Sequence, residues 1–138
     1  MTVSLENVCV IVPLAPSESA WEKLLPDLLA LPAATEIFFV GLEQPRKSLP
    51  KRIRWIAAEL GRAQQLNSAA QATTKDFLWF LHADSQFTPQ TAPALQTAVQ
   101  RHPKALHYFT LKFLTDGPPL MFLNEIGCWI RSQLMRVP

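Results

Sequence analysis

Hydrophobic residues follow two rhythms along this chain. Val8, Cys9, Val10, Ile11 and Val12 form an unbroken, mostly β-branched run closed by Pro13. A run apolar on both faces predicts a strand buried in the middle of a parallel sheet. Residues 36–41 and 77–81 repeat the pattern, and 54–57 is a shorter version. Between these runs the spacing changes to that of helices. Trp21, Leu24, Leu25, Leu28 and Leu29 recur at three- and four-residue steps behind Ser19 and Glu22, which stand at capping-box spacing. Pro26 is expected to kink or divide that helix. Residues 61–73, rich in alanine and glutamine, predict a helix with Ala63, Leu66, Ala69 and Ala70 against the sheet. Residues 91–101 predict another, with Ala94, Leu95, Ala98 and Val99 inward, followed by a fifth strand at 105–113 and a long apolar helix at 119–136.

Strands alternating with helices across short loops predict an α/β fold: an open, mainly parallel, Rossmann-like sheet flanked by helices. No repeat or linker divides the 138 residues, so 1–138 reads as one domain. Composition supports a packed core, with 49% hydrophobic and 17% charged residues. That excludes a disordered chain. The two cysteines, Cys9 and Cys128, have no metal-ligand neighbours in sequence, which argues against a disulfide scaffold or zinc finger. A net charge of +2 is too balanced to point to nucleic acid. The aromatic residues in strand patterns (Phe38, Phe39, Trp55, Phe77, Trp79, Phe80) and on helix faces (Trp21, Trp129) are expected in the core. No basic segment precedes an apolar stretch at the start, and no run approaches the ~20 apolar residues of a membrane span. The expected location is cytoplasmic.

In such a sheet, ligands bind outside the carboxyl ends of the strands, where strand order reverses. That rule selects residues 13–17, residues 41–44, Gly61-Arg62 and His82-Ala83-Asp84. Neither a G-x-G-x-x-G nor a G-x-x-x-x-G-K-[ST] loop is present, which disfavours dinucleotide oxidoreductases and P-loop NTPases. His82 and Asp84 leave an apolar strand two residues apart, and such residues point the same way. An oxygen-loving divalent cation fits between that carboxylate and a diphosphate. The plainer reading makes Asp84 a turn cap and His82 a polar strand end. Arg62 opens a helix, where backbone N–H groups and a guanidinium suit phosphate; its plainer reading is one solvated cation in the basic stretch from Arg46 to Arg62.

Gly61-Arg62-Ala63-Gln64-Gln65-Leu66-Asn67-Ser68-Ala69-Ala70 and Leu81-His82-Ala83-Asp84-Ser85 resemble, in that order, the G-R-A-x-Q-[ML]-N-x-G-A helix start and L-H-A-D-[TS] strand end of a subgroup of the family 2 glycosyltransferases. Val10-Ile11-Val12-Pro13 is similar to the family's first strand, and the stretch from Asn124 to Arg136 to its N-x-x-x-x-x-R-S segment. The resemblance implies a GT-A fold, a nucleotide-diphospho-sugar donor, an acceptor of unknown identity, and Mg²⁺ or Mn²⁺ as cofactor. It places Asp84 at the metal, with His82 in the position of the motif's first acid. Pro13, Glu18, Glu43, Arg62, Asn67, Ala83 and Asp84 become the residues of the donor site. Glu18 stands in for the family's Asn-Glu pair after the first strand, and Glu43 for its aspartate after the second.

The chain stops at Arg136-Val137-Pro138, where the family pattern continues into a Gly-Asp-Gln segment and the acceptor-binding half. The reading is therefore of a C-terminally incomplete GT-A domain whose catalytic base is unassigned. Its alternative is an inactive α/β binding or assembly module that keeps the fold. Leu120, Leu123, Ile126, Ile130, Leu134 and Val137 form a stripe, with Met121, Phe122, Trp129 and Met135 beside it. Such a stripe needs cover. A homodimer through this helix is expected ahead of peripheral membrane contact, because only Arg131 and Arg136 flank the stripe and Glu125 opposes anionic lipid.

Overall fold

The computed structural model describes residues 4–110, 112 and 119–134, the side chains of 132 and 134 excepted. Four strands form one sheet: β1 (Val8–Pro13), β2 (Glu36–Gly41), β3 (Ile53–Ala57) and β4 (Phe77–Phe80). Three helices belong with them, α1 (Trp21–Leu29), α2 (Arg62–Ala72) and α3 (Thr91–Arg101). Strand order is β3-β2-β1-β4 and every pairing is parallel. The chain winds outward from β1 to β3, then returns to lay β4 on the other side of β1. The carboxyl ends of β1 and β4 thus flank the point where winding reverses.

Both faces of the sheet are covered, which is why its central strands read as continuous apolar runs. On one face Val8, Val10 and Val12 of β1 and Ile37 and Phe39 of β2 pack with Trp21, Leu24 and Leu28 of α1 and Leu95 and Val99 of α3. On the other face Cys9, Ile11, Phe38 and Val40 meet Ala69 of α2. Trp21 sets its edge on Phe39 with ring centroids 5.6 Å apart. Phe38, Phe39, Trp21 and Trp79 are buried as expected; Phe80, on the edge strand β4, is 48% exposed.

Several expectations are corrected. Pro26 does not divide α1, which runs unbroken past it; its ring lies at an exposed position, and the bond it removes would have gone to the carbonyl of Glu22 near the helix start. Ser19 does not cap α1 through its side chain; its carbonyl accepts from the Glu22 N–H instead. On α2 the buried positions are Gln65 and Ala69, while Ala63 is exposed. The helix carries so few large apolar residues that its composition does not set its rotation.

Residues 105–138 make a second compact unit. Residues 105–110 contain no strand, and Leu106 is 82% exposed; residues 111 and 113 of the expected fifth strand lie outside the described residues. A strand-like pattern becomes a strand only when a ladder partner takes its backbone groups. The expected C-terminal helix appears as α4 (Met121–Trp129), widening into a π-helical turn, α5 (Ile130–Leu134). Leu120, Phe122, Leu123, Ile126, Trp129 and Ile130 are exposed, so Trp129 is not a core residue here. The side chain of Leu134, and Met135, Arg136 and Val137, lie outside the described residues. Among the described residues no helix is long and apolar enough to cross a membrane.

Candidate functional site

The carboxyl ends of β1 and β4 meet at the reversal point, where sheets of this kind form their ligand crevice. β4 is prolonged by one rung, the Leu81 N–H donating to Ile11 O at 3.0 Å, and the chain then turns through residues 82–85 with Ser85 N–H on His82 O at 3.0 Å. Ala83 is buried in the core and anchors that turn. Its neighbours His82 and Asp84 are both exposed, as their spacing predicts. Asp84 has no hydrogen-bond or ion-pair partner among the described residues.

Across from this turn stands the first residue of α2. Gly61 precedes it with φ +124°, a backbone conformation that side chains with a Cβ rarely adopt. That conformation lets the chain turn sharply from the end of β3 into the helix, with Gln65 N–H closing onto Gly61 O at 3.0 Å. Arg62 extends from this start to His82: its Nη1 lies 2.9 Å from Nδ1 of the imidazole and 3.4 Å from Nε2. A guanidinium only donates, so the ring nitrogen it meets presents a lone pair. Arg62 and His82, which come from two segments singled out separately in the sequence, are thereby brought together.

The loop after β1 forms the neighbouring wall. Pro13 ends the strand, buried, and Leu14 is held at both backbone groups: its N–H donates to Val40 O at 2.8 Å, and its carbonyl accepts from Gln65 Nε2 at 3.0 Å. Residues 15–18 close a tight turn, Glu18 N–H to Ala15 O at 3.1 Å, with Ser17 at φ 62°. The Glu18 carboxylate folds back to accept the Ala15 N–H at 3.0 Å, and Trp21 Nε1 donates to Glu18 O at 3.0 Å. Glu18 thus stabilises its own turn. Glu43 is exposed in the loop beyond β2. Asn67 sits more than a turn along α2 from Arg62, on the outer face with Gln64, Ser68 and Gln71, which with Glu59 line a shallow depression of about 290 Å³. The structure does not bring Asn67 to the Arg62–His82 pair.

The basic stretch is not simply a solvated face. Arg52 donates to the carbonyls of Leu29, Leu31 and Pro32, capping the end of α1. Arg54 lies 5.3 Å from the Phe38 ring centroid, and Lys47 pairs with Glu22. Gln65 escaped the sequence reading. The available signal was a glutamine within the G-R-A-x-Q stretch, one turn before the sheet-facing Ala69.

For a divalent cation, the described residues contain no group of three His, Cys, Asp or Glu side chains placed to hold one. His82 is a poor ligand as it stands, because a guanidinium already occupies its lone pair and would repel a dication. Asp84 fits: a single exposed carboxylate suits Mg²⁺ or Mn²⁺ when substrate phosphates complete the shell.

A family model described as glycosyl transferase family 2 matches residues 41–130. Comparison with curated proteins found no match, and comparison with solved structures found none. The family match runs from the end of β2 through α4 and takes in both the Arg62 helix start and the His82–Asp84 turn. Since the match spans well over half of the chain, the chain belongs to glycosyl transferase family 2.

Proposed function

We propose that the β1–β4 crevice binds the diphosphate of a nucleotide-sugar donor and serves sugar transfer to an acceptor. The observation that carries this reading is the convergence of Arg62 and the His82–Asp84 turn at the sheet's reversal point. In glycosyl transfer the bond between the sugar's anomeric carbon and the diphosphate oxygen breaks, and negative charge collects on the departing diphosphate. Arg62 supplies charge-assisted donors for that charge, and the first turn of α2 adds N–H groups and the positive end of its dipole. His82 keeps the guanidinium poised at the crevice by accepting from it, and yields it when a stronger acceptor arrives. Asp84 would hold Mg²⁺ or Mn²⁺ beside the diphosphate, and the cation when bound supplies charge neutralisation of the leaving group.

Titration calorimetry with uridine and guanosine diphosphates, with and without Mn²⁺, tests the reading. Binding that strengthens with Mn²⁺ in the wild type and loses that strengthening in Asp84→Asn is expected. Binding by Asp84→Asn that still strengthens with Mn²⁺ as much as in the wild type would remove Asp84 from the site. No binding of either diphosphate to the wild type would overturn the reading itself.

A further inference from the structure

We infer that Gln65 is a positioning residue, joining the two walls of the crevice by fixing the Leu14 carbonyl; the inference rests on the donor-site reading above. α2 buries two residues, Gln65 and Ala69, and Gln65 is only 6% exposed. An amide is costly to bury unless it is used. Its use is specific. Leu14 lies one residue beyond β1, so the strand ladder no longer supplies a donor for its carbonyl; Gln65 Nε2 supplies one at 3.0 Å. The Leu14 N–H is tied to Val40 O, and a Cβ placed on Gly41 would come within 2.9 Å of the same Leu14 oxygen. Helix, strand end and loop are therefore packed around one carbonyl.

Gln65 stands three residues after Arg62, so both lie on adjoining positions of one rigid helix. The helix that carries the guanidinium thereby also holds the start of the 15–18 turn. If donor phosphates sit between the turn and Arg62, the Gln65 bond sets the width available to them. Misplacement of a binding group by a fraction of an ångström is enough to weaken a preorganised site.

Two variants remove the bond with little change of volume: Gln65→Met keeps the length without a donor, and Gln65→Asn keeps the amide one methylene short. Hydrogen exchange in the ligand-free protein is expected to accelerate at the amides of Leu14, Ala15, Ser17 and Glu18 and to remain unchanged in β2. Diphosphate affinity with Mn²⁺ should fall about tenfold, the equivalent of roughly one net hydrogen bond, at a temperature where the variants are fully folded. Unchanged exchange at these amides in both variants would overturn the inference, and this measurement needs no ligand. Loosened amides with wild-type affinity would overturn it as well. Failure of the wild type to bind either diphosphate would strike the donor reading and leave the exchange test to decide on Gln65. Should neither variant fold, the wild-type Gln65 side-chain amide protons are expected to exchange more slowly than those of the exposed Gln64; equal rates would overturn the inference.

Discussion

Gly41→Ala tests the packing around the Leu14 carbonyl from the opposite side. Gly41 is buried at the end of β2. An added Cβ would lie 2.9 Å from Leu14 O and 2.9 Å from Trp55 Cη2. The tryptophan ring is half-buried and has room to shift, but the carbonyl is held by Gln65 while its peptide neighbour Leu14 N–H is held by Val40. Relief of the contact must tilt that carbonyl and stretch the Gln65 bond. Overpacking costs about 1–3 kcal/mol, and a weakened hydrogen bond adds about 0.5–1.5 kcal/mol. Against these, replacing a strand glycine returns about 0.5–1 kcal/mol through the unfolded chain. The net expectation is a destabilisation of about 2 kcal/mol, a fall in Tm of roughly 6–10 °C for a chain of this size. Far-UV circular dichroism on heating measures it. The double variant Gly41→Ala, Gln65→Met should be less destabilised than the sum of the singles, since both act on one carbonyl. A Tm within about 2 °C of wild type would refute the account, because a contact between a methyl and a fixed carbonyl cannot be that cheap.

Three further outcomes are expected. Arg62→Ala should weaken nucleoside diphosphate binding by about 1.5–3 kcal/mol, the range for a hydrogen bond to a charged group, without lowering Tm appreciably; unaltered calorimetric affinity would exclude Arg62 from the site. Gly61→Ala has space, its nearest non-neighbour atom being Gln64 Oε1 at 3.8 Å, but φ +124° imposes a backbone cost of about 1–3 kcal/mol; an unshifted melting curve would show that the turn into α2 relaxes freely. Burial pushes the Cys9 thiol from 9.0 up to about 12. In native protein at pH 8 a chromogenic disulfide reagent should therefore titrate the half-buried Cys128 first and reach Cys9 only on unfolding. The unfolded thiol ionises at its ordinary value while the folded one stays protonated, so this contribution to stability is intact below pH 9.0 and declines as pH rises toward 12. Rapid reaction of both thiols in native protein would contradict the buried placement of Cys9.

Much of the fold was legible from local pattern alone. β2 and α3 have the bounds their spacing predicts, and β1 and β3 differ by a residue. These elements are determined by neighbours in sequence: a run apolar on both faces has no solvent side, and a helix with one apolar stripe has a single face to bury. The exposure of His82 and Asp84 on either side of the buried Ala83 also matches the two-residue alternation of the sequence. Tertiary structure decided what depends on partners far along the chain. It laid β4 beside β1 and so set the reversal point between their carboxyl ends. It turned α2 so that Gln65 faced inward, since a helix of alanine, glutamine and serine has too little apolar contrast to orient itself. It gave Arg52 three carbonyls at the end of α1 and Arg62 an imidazole twenty residues away. Residues 105–110, expected as the start of a fifth strand, join no ladder, because strand identity resides in pairing rather than propensity. Burial preference acts on each residue by itself and can be read one position at a time; hydrogen bonds and charge contacts need two groups, and only the folded chain sets their separation.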